Sequence, residues 1–305
     1  MARPEQFHRS SNLSTPLGQS AEAPSSKLGI LTRLEQAVGQ IQDSDTFRRY
    51  LDVQARFHKY SWGNVALILA QKPDATHVAG YRRWLELHRY VRKGEKGITI
   101  IVPMHRKDKI ENHEGEEVER DRLFFGTGTV FDVSQTEGEP LPGVDVPVLE
   151  GAEGGELYTR LEQLAVSEGI FVRWSSDDLP ESTMGVYLRD KKGIIIQEAA
   201  SVQMTKTLAH ELAHHFAFKD VPHTRGEHQA IAEATAYVVC SHFGLDTGAR
   251  SFPYVAVWSK DKAVLKGVFS TIQQVSAKMI DGLEVGFRSE PNEQTSKPIE
   301  KPWLT

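Results

Sequence analysis

Apolar residues recur at helical spacing through the first part of the chain. The first such face carries Leu31, Leu34, Val38 and Ile41. Residues three or four positions apart lie on one side of a helix, so this pattern predicts a helix over residues 28–41. The same reasoning, with Ser44 and Ser61 as N-caps, predicts three further helices. They span residues 44–58, 62–71 and 78–87.

The pattern changes from helical to extended after these helices. Residues 97–102 form a run rich in β-branched side chains, and residues 123–133 have a similar composition. Both segments are predicted strands. The intervening residues 106–122 are highly charged, which favours a loop at the tip of a hairpin. The first unit is therefore predicted to be four helices followed by a small antiparallel sheet.

The second half of the chain is predicted to be mainly helical. Residues 136–155 are rich in Gly, Pro and Glu, which is typical of a linker. We predict an α+β fold in two domains, with short strands near residues 171–174, 185–188 and 193–197. The last two strands should form a hairpin. The expected divisions are a disordered lead-in at 1–27, a first domain at 28–135, the linker at 136–155, a second domain at 156–288 and a polar tail at 289–305.

Composition narrows the class of protein. Apolar residues make up 39% and charged residues 25% of the 305 residues, with a net charge of −5. The charge argues against a surface that binds nucleic acid everywhere, although one region can still be basic. No apolar stretch reaches the roughly 20 residues that span a bilayer, so no membrane partner is expected. A single cysteine, Cys240, suits the cytoplasm and is predicted to be a buried small side chain.

One motif carries catalytic chemistry. The predicted helix 201–218 contains His210-Glu211-Leu212-Ala213-His214. Histidines four positions apart face the same side of a helix and can bind one cation, while the adjacent Glu211 can act as general base on the bound water. This spacing is typical of zinc hydrolases. We therefore predict a Zn²⁺ site with His210 and His214 as ligands, and a protein or peptide substrate.

A catalytic zinc ion needs a third protein ligand. The next predicted helix offers Glu233, whose alanine neighbours permit close packing of the two helices, and Glu227 as the second choice. Glu233 is preferred. Tyr254 and Tyr187 are the alternatives for a donor to the oxyanion, and the sequence does not choose between them.

The first unit contains a local excess of positive charge. Residues 77–109 contain nine Lys or Arg and three acidic residues, a balance of 9 − 3 = +6. Aromatic residues, including Tyr90, lie among them. Cations along a phosphate backbone and aromatic faces for the bases are the physical requirements for binding single-stranded DNA. The residues predicted to bind it are Tyr60, Trp62, Tyr81, Arg82, Arg83, Trp84, Arg89, Arg92, Lys93 and Lys96.

Several segments resemble the ArdC antirestriction family. The segments are residues 57–64, 71–76, 78–84 and 91–98 in the first unit, and 210–214, 233–237 and 243–247 in the second. The resemblance implies a first domain that binds single-stranded DNA. It also implies a zincin-like metallopeptidase domain related to the ImmA/IrrE peptidases, and a role in a mobile element. Two places depart from the family pattern. Relatives often carry more than one carboxylate in the segment just before Ala232-Glu233, where this chain has Gln229 and Ile231, and His88 stands where relatives tend to have glycine.

The predicted function is that of a single-stranded DNA-binding zinc metallopeptidase of antirestriction type. One alternative is a DNA-binding antirestriction factor whose zinc is structural and which cleaves no peptide. A second alternative is that the basic module binds protein and positions a substrate for the peptidase. The intact Glu211 favours the enzyme, because a purely structural site needs no base.

Overall fold

The computed structural model describes residues 27–41, 44–111, 117–141, 155–175, 179–180, 183–217, 223–247 and 262–289. In these ranges the chain combines helices with three small sheets, which confirms the α+β class. The helices are α1 (Lys27–Gly39), α2 (Ser44–Arg56), α3 (Trp62–Gln71), α4 (Tyr81–Glu86), α5 (Gly155–Ser167), α6 (Ser201–Ala217), α7 (Arg225–His242) and α8 (Lys262–Ser289). The strands are β1 (Val78–Gly80), β2 (Arg89–Val91), β3 (Ile98–Glu111), β4 (Glu117–Asp132), β5 (Thr136–Gly138), β6 (Phe171–Trp174), β7 (Gly185–Leu188) and β8 (Gly193–Ile196).

The first three predicted helices are confirmed as α1, α2 and α3, but the fourth prediction was partly wrong. Residues 78–80 form strand β1, which pairs antiparallel with β4. Helix α4 begins only at Tyr81, because Gly80 adopts an extended conformation at its N-cap. The hydrogen bonds of β1 come from a strand about 50 residues away in the chain, so local spacing could not indicate them.

The charged segment predicted as a loop is a two-stranded ribbon. Strands β3 and β4 pair without interruption from Ile98 opposite Val130 to Glu111 opposite Glu117. Ion pairs cross the ribbon, with 3.0 Å between His105 Nδ1 and Asp121 Oδ2 and 3.1 Å between Lys107 Nζ and Glu119 Oε2. The loop prediction was therefore wrong for residues 106–111 and 117–122, because opposite charges on facing strands stabilise extended pairing. Residues 112–116 lie outside the described residues.

The start of the predicted linker also belongs to a sheet. Strand β5 pairs antiparallel with β2, and the Arg89 side chain fastens the pair by donating from Nε to Thr136 Oγ1 at 2.8 Å. Residues 142–154, which make up most of the predicted linker, lie outside the described residues.

The second sheet region follows the prediction. Strands β7 and β8 form the expected antiparallel hairpin, and β6 adds to β8 in parallel. The central strand β8 is buried along its whole length, which explains its continuous apolar sequence. The hairpin connection contains Lys192 in the left-handed conformation, with φ of 48°.

A single hydrophobic core connects the two halves of the chain. Phe269 of α8 stacks on two aromatic rings of α2, with centroids 4.8 Å from Tyr50 and 5.7 Å from Phe47. Helix α7 packs against α2, α6 and α8. Cys240 lies in this core and is buried, as predicted, and burial raises the pKa of its thiol to about 12. Among the described helices, none has the length and apolar content needed to cross a membrane.

Candidate functional site

Helix α6 presents the histidine motif on the wall of a cavity. Leu208, Leu212 and Phe216 are buried on the inner side of the helix and fix its orientation. The opposite side turns His210, Glu211 and His214 towards a cavity of about 730 Å³. Side chains of α7 and of β7 complete the wall.

The two histidine rings lie side by side, and His214 is the more buried of the two. Burial, followed by the nearby His210 and His228, lowers the pKa of His214 to about 3. The His214 ring is therefore neutral at physiological pH, which is the form that binds a metal ion. The rings of His210 and His214 have centroids 4.8 Å apart.

Glu211 is the buried carboxylate of the cavity. It is 7% exposed. Burial raises its pKa, an effect that His210 and a backbone hydrogen bond from Tyr187 partly offset. A carboxylate whose pKa is raised towards neutrality holds a proton more readily, as a general acid and base must.

Glu233 reaches the same cavity from α7. Its Oε2 lies 3.3 Å from His210 Nδ1, and its Oε1 accepts a 2.5 Å hydrogen bond from Lys206 Nζ. Although burial raises the pKa of Glu233, the hydrogen bonds from His210 and Lys206 outweigh it and lower the value to about 2. The carboxylate is therefore ionised, and one of its oxygens accepts a hydrogen bond from Lys206.

Two other polar residues of α7, Gln229 and Glu227, differ in their distance from the histidines. Gln229 lies one turn before Glu233, with its Nε2 3.3 Å from His214 Nε2. Glu227 instead caps the start of α7: its Oε2 accepts from the backbone of Thr224 at 2.8 Å and lies 3.4 Å from His223 Nδ1. The cavity wall includes Gln229 and Glu233 but not Glu227.

The close approach of β7 to α6 depends on a glycine. A Cβ at Gly185 would lie 2.5 Å from Thr207 Cγ2 and 3.3 Å from Glu211 Cγ. Any larger residue would push the strand away from the base. No sequence pattern predicts this position, because a glycine at the start of a strand gives no local indication of the helix that it will contact.

Tyr187 lines the cavity, but its hydroxyl group is already engaged. The hydroxyl lies 2.7 Å from His215 Nδ1, and the other ring nitrogen of His215 is 3.5 Å from Glu168 Oε2. The backbone N–H of Tyr187 is the group that contacts Glu211. Tyr254, the other predicted oxyanion donor, lies outside the described residues.

The predicted DNA-binding residues fall into groups of different accessibility. Tyr81 is 52% exposed, and Arg82, Lys93 and Lys96 are also exposed. Three arginines have partners within the protein: Arg83 with Glu86 at 2.6 Å, Arg89 with Thr136, and Arg92 with Glu95 at 2.8 Å. Tyr60 and Trp62 are half-buried against the core.

Comparison with known proteins identifies the first unit. Residues 28–131 match the family model described as the N-terminal domain of anti-restriction factor ArdC. The first unit is thus an ArdC-like domain. The resemblance drawn from the sequence is thereby confirmed.

Relatives of this chain include two uncharacterised bacterial proteins. One, from Bacillus anthracis, is 25% identical over 307 residues, which cover 81% of this chain and 50% of the relative. The chain thus spans about half the length of that relative. The other, from Sinorhizobium fredii, is 26% identical over 216 residues, which cover 64% of this chain and 68% of the relative.

Two crystal structures of the antirestriction ArdC protein from the R388 plasmid are also similar. The metal-free structure is 24% identical, with a TM-score of 0.47, over 73% of this chain and 83% of that chain. The Mn(II)-bound structure is 20% identical, with a TM-score of 0.46, over 74% and 84% respectively.

In the ArdC-like domain, the predicted DNA-binding role of Trp84 is wrong, and other aromatic rings are exposed. Trp84 is 1% exposed and donates from Nε1 to the backbone oxygen of Phe131 at 2.9 Å. Its ring has no free face, so the predicted stacking role of Trp84 is withdrawn. Exposed aromatic rings are instead found at Tyr90 (56%) and at Phe125 (54%) on the ribbon. Phe125 was not among the predicted DNA-binding residues, because it lies in a segment that was predicted only as a strand of a sheet.

Proposed function

We propose that this ArdC-like antirestriction protein hydrolyses a peptide bond in the α6–α7 cavity with the help of a divalent metal ion. The observation that carries the proposal is Glu211, a buried carboxylate of raised pKa that faces the cavity between two histidines. A structural metal site does not need such a group beside its ligands. The buried position of Glu211 therefore favours catalysis over a purely structural role.

The donor set fits a divalent ion. His210, His214 and Glu233 provide two imidazoles and an ionised carboxylate on one cavity wall. This combination favours zinc. When bound, the ion would lower the pKa of a water molecule and polarise the peptide carbonyl. Glu233 can serve as a ligand once Lys206 moves from its carboxylate.

Glu211 would move the proton. Its carboxylate accepts the proton of the attacking water, and burial helps the carboxylate to keep it. Glu211 then returns the proton to the leaving amine. The hydrogen bond from the Tyr187 backbone orients the carboxylate during both transfers.

We further propose that the ArdC-like domain binds single-stranded DNA. The exposed Tyr81 and Tyr90 rings can stack on bases, while Arg82, Lys93 and Lys96 can contact phosphates. No ion pair of these three cations is seen within the described part of the chain. They are therefore the cations best placed to replace counterions on DNA. The cytoplasm remains the predicted location.

The peptidase proposal is tested by metal content and by cleavage of labelled casein. The variants are Glu211→Gln, Glu233→Gln and, as a matched control from the same helix, Glu227→Gln. Glu211→Gln should keep its metal and lose about 10²–10⁴-fold of its activity. Glu233→Gln should bind less metal than wild type because the cavity site is lost, and Glu227→Gln should retain both properties. Zn(II) and Mn(II) are both supplied.

Other results would change the assignment. If wild type and Glu211→Gln cleave casein at equal rates, Glu211 is not the base. If the protein binds metal but cleaves neither casein nor a random peptide library, the alternative of an antirestriction factor with a structural metal takes its place. If the metal content of Glu233→Gln equals that of wild type, Gln229 becomes the next candidate ligand.

The DNA proposal is tested by fluorescence anisotropy with labelled single-stranded DNA at several salt concentrations. Arg82→Ala/Lys93→Ala should weaken binding and reduce the salt slope by about 0.7 for each lost phosphate contact. Lys191→Ala/Lys192→Ala removes the same charge from the β7–β8 turn and serves as the control. Equal effects of the two double variants, or binding that does not depend on salt, would contradict a specific DNA surface.

A further inference from the structure

A second cluster of possible metal ligands lies far from the α6 motif in the chain. His58 follows the end of α2, and His242 is the last residue of α7. Asp281 and Glu284 lie three residues apart on α8, which places them on one face of that helix. The cluster therefore joins the ArdC-like domain to two helices of the second half.

Three of the four side chains approach one another closely, and His242 lies beside His58 and Glu284. His58 Nε2 lies 3.8 Å from Asp281 Oδ1, and His242 Nε2 lies 3.4 Å from Glu284 Oε1. The two imidazole rings have centroids 4.7 Å apart. One ligand atom each from His58, Asp281 and Glu284 all lie within 4.8 Å of one another. Four ligands held about 2.1 Å from a tetrahedral ion are about 3.4 Å apart, so small side-chain movements would suffice.

Both histidines are buried, and the ring nitrogens of His58 lack hydrogen-bond partners. The side chain of His58 is 8% exposed and that of His242 is 6% exposed. Within the described residues, neither nitrogen of His58 has a hydrogen bond, whereas Nε2 of His242 faces Glu284 Oε1 at 3.4 Å. Burying such groups without a partner is unfavourable. An ion is one of the few groups that would satisfy them.

The orientation of the His242 ring agrees with a ligand role. Nδ1 of His242 lies 2.8 Å from the backbone oxygen of Ala55 and must donate to it. This bond leaves the electron pair of a neutral ring on Nε2, the arrangement usual for metal-bound histidine.

We propose that His58, His242, Asp281 and Glu284 form a second metal site, which binds a divalent transition-metal ion and fastens the end of α2 to α8. Two imidazoles with two carboxylates favour zinc, cobalt or manganese over magnesium or calcium, which prefer oxygen ligands alone. The site is separate from the α6–α7 cavity and does not depend on the activity proposed there.

Lys59 is the competing cation. Its Nζ lies 4.0 Å from Asp281 Oδ1 and 3.9 Å from Glu284 Oε2. The lysine side chain is 63% exposed. It can move into solvent when a metal ion neutralises the carboxylates, because exposed ion pairs hold such side chains only weakly.

The experiment counts metal ions in the full-length protein. Chelator-treated protein is reloaded with Zn(II), freed of excess metal and measured by elemental analysis. His214→Ala removes the cavity site and should leave one bound ion. His214→Ala combined with Asp281→Asn should leave none. Asp281 is 58% exposed, so the substitution removes a ligand without opening the core.

The chain offers a matched control. Asp121 also contacts a histidine, His105, and its side chain is 60% exposed, but both partners are on the surface. His214→Ala combined with Asp121→Asn should keep the one ion.

Zn(II) at a hundred times its Kd should raise the Tm of His214→Ala by about 5 °C. The variant that also lacks Asp281 should show no such rise.

The outcomes separate the two sites. If His214→Ala binds no ion, or if adding Asp281→Asn leaves the count unchanged, the second site does not exist. If Asp281→Asn alone reduces the count to zero, the second site stands and the cavity site proposed above is wrong. A loss that Asp121→Asn produces equally would overturn the second site, because the loss would not depend on the buried histidines.

Discussion

Asp132 is expected to be a major contributor to the stability of the ArdC-like domain. It is 1% exposed and lies at the end of β4. Its Oδ1 accepts from the backbone N–H groups of Thr76 at 2.7 Å and His77 at 3.0 Å, and its Oδ2 accepts from that of Ser134 at 2.8 Å. The carboxylate therefore ties the segment before β1 to the end of β4.

The magnitude follows from these three bonds. Hydrogen bonds to a charged group contribute about 1.5–3 kcal/mol each, but the freed donors near the surface regain water. We expect Asp132→Ala to lower the free energy of unfolding by roughly 3 kcal/mol. Asp132→Asn keeps one oxygen but places an NH₂ group opposite the Ser134 N–H, so a loss of roughly 2 kcal/mol is expected.

The effect should depend on pH in a defined direction. Burial raises the pKa of Asp132, but the hydrogen bonds from Ser134, Thr76 and His77 outweigh it, so the folded-state pKa lies below the usual value. The stabilisation is therefore complete above the unfolded pKa of about 3.9 and is lost as the pH falls through the folded value. The advantage of wild type over Asp132→Asn should shrink below about pH 4.

Urea unfolding followed by circular dichroism measures these differences. Asp74→Asn is the control, because Asp74 is 75% exposed and its main partner is the nearby Lys72. That variant should lose less than about 0.5 kcal/mol. If Asp132→Ala loses less than about 1 kcal/mol, or if the difference between wild type and Asp132→Asn is the same at pH 3 and pH 7, the reasoning is refuted.

Three further predictions concern single positions. His88 has a φ of 54°, so His88→Gly should raise the free energy of unfolding in urea by about 0.5–1 kcal/mol; a loss would show that its side chain contributes more than the backbone strain. Gly185→Ala should destabilise the protein by about 1–3 kcal/mol, because its Cβ would meet a threonine methyl at 2.5 Å. Gly226→Ala, with open space around it, is the control and should not destabilise. Lys206→Met should tighten zinc binding about three- to tenfold in a chelator competition, since it frees Glu233; unchanged or weaker binding would argue against Glu233 as a ligand.

Much of the fold could be predicted because its causes are local. Apolar spacing located α1, α2, α3 and α6, and the β-branched run at residues 193–196 located β8. The charged ribbon β3–β4 was missed because charge normally indicates a loop, whereas here opposite charges face each other across the strands. Strand β1 was missed because its partner lies about 50 residues away.

The candidate site was predictable to a similar extent. The spacing of His210, Glu211 and His214 already requires that they share one region of a helix. The preference for Glu233 over Glu227 could not be tested from the sequence, because it depends on how α7 crosses α6. In the structure, Glu233 and Gln229 contact the histidines, whereas Glu227 caps the start of α7.

The sequence by itself determined the helix periodicity, the histidine motif and the family resemblance, since each depends on residues close together in the chain. Only the tertiary structure decided that Trp84 is buried, that Gly185 lets β7 approach Glu211, and that His58 meets His242. His58 and His242 are 184 residues apart, and no local pattern links them. Contacts of this kind arise from the packing of whole helices, because the burial of apolar surface determines how the helices are arranged. The buried polar side chains then form their contacts within that arrangement.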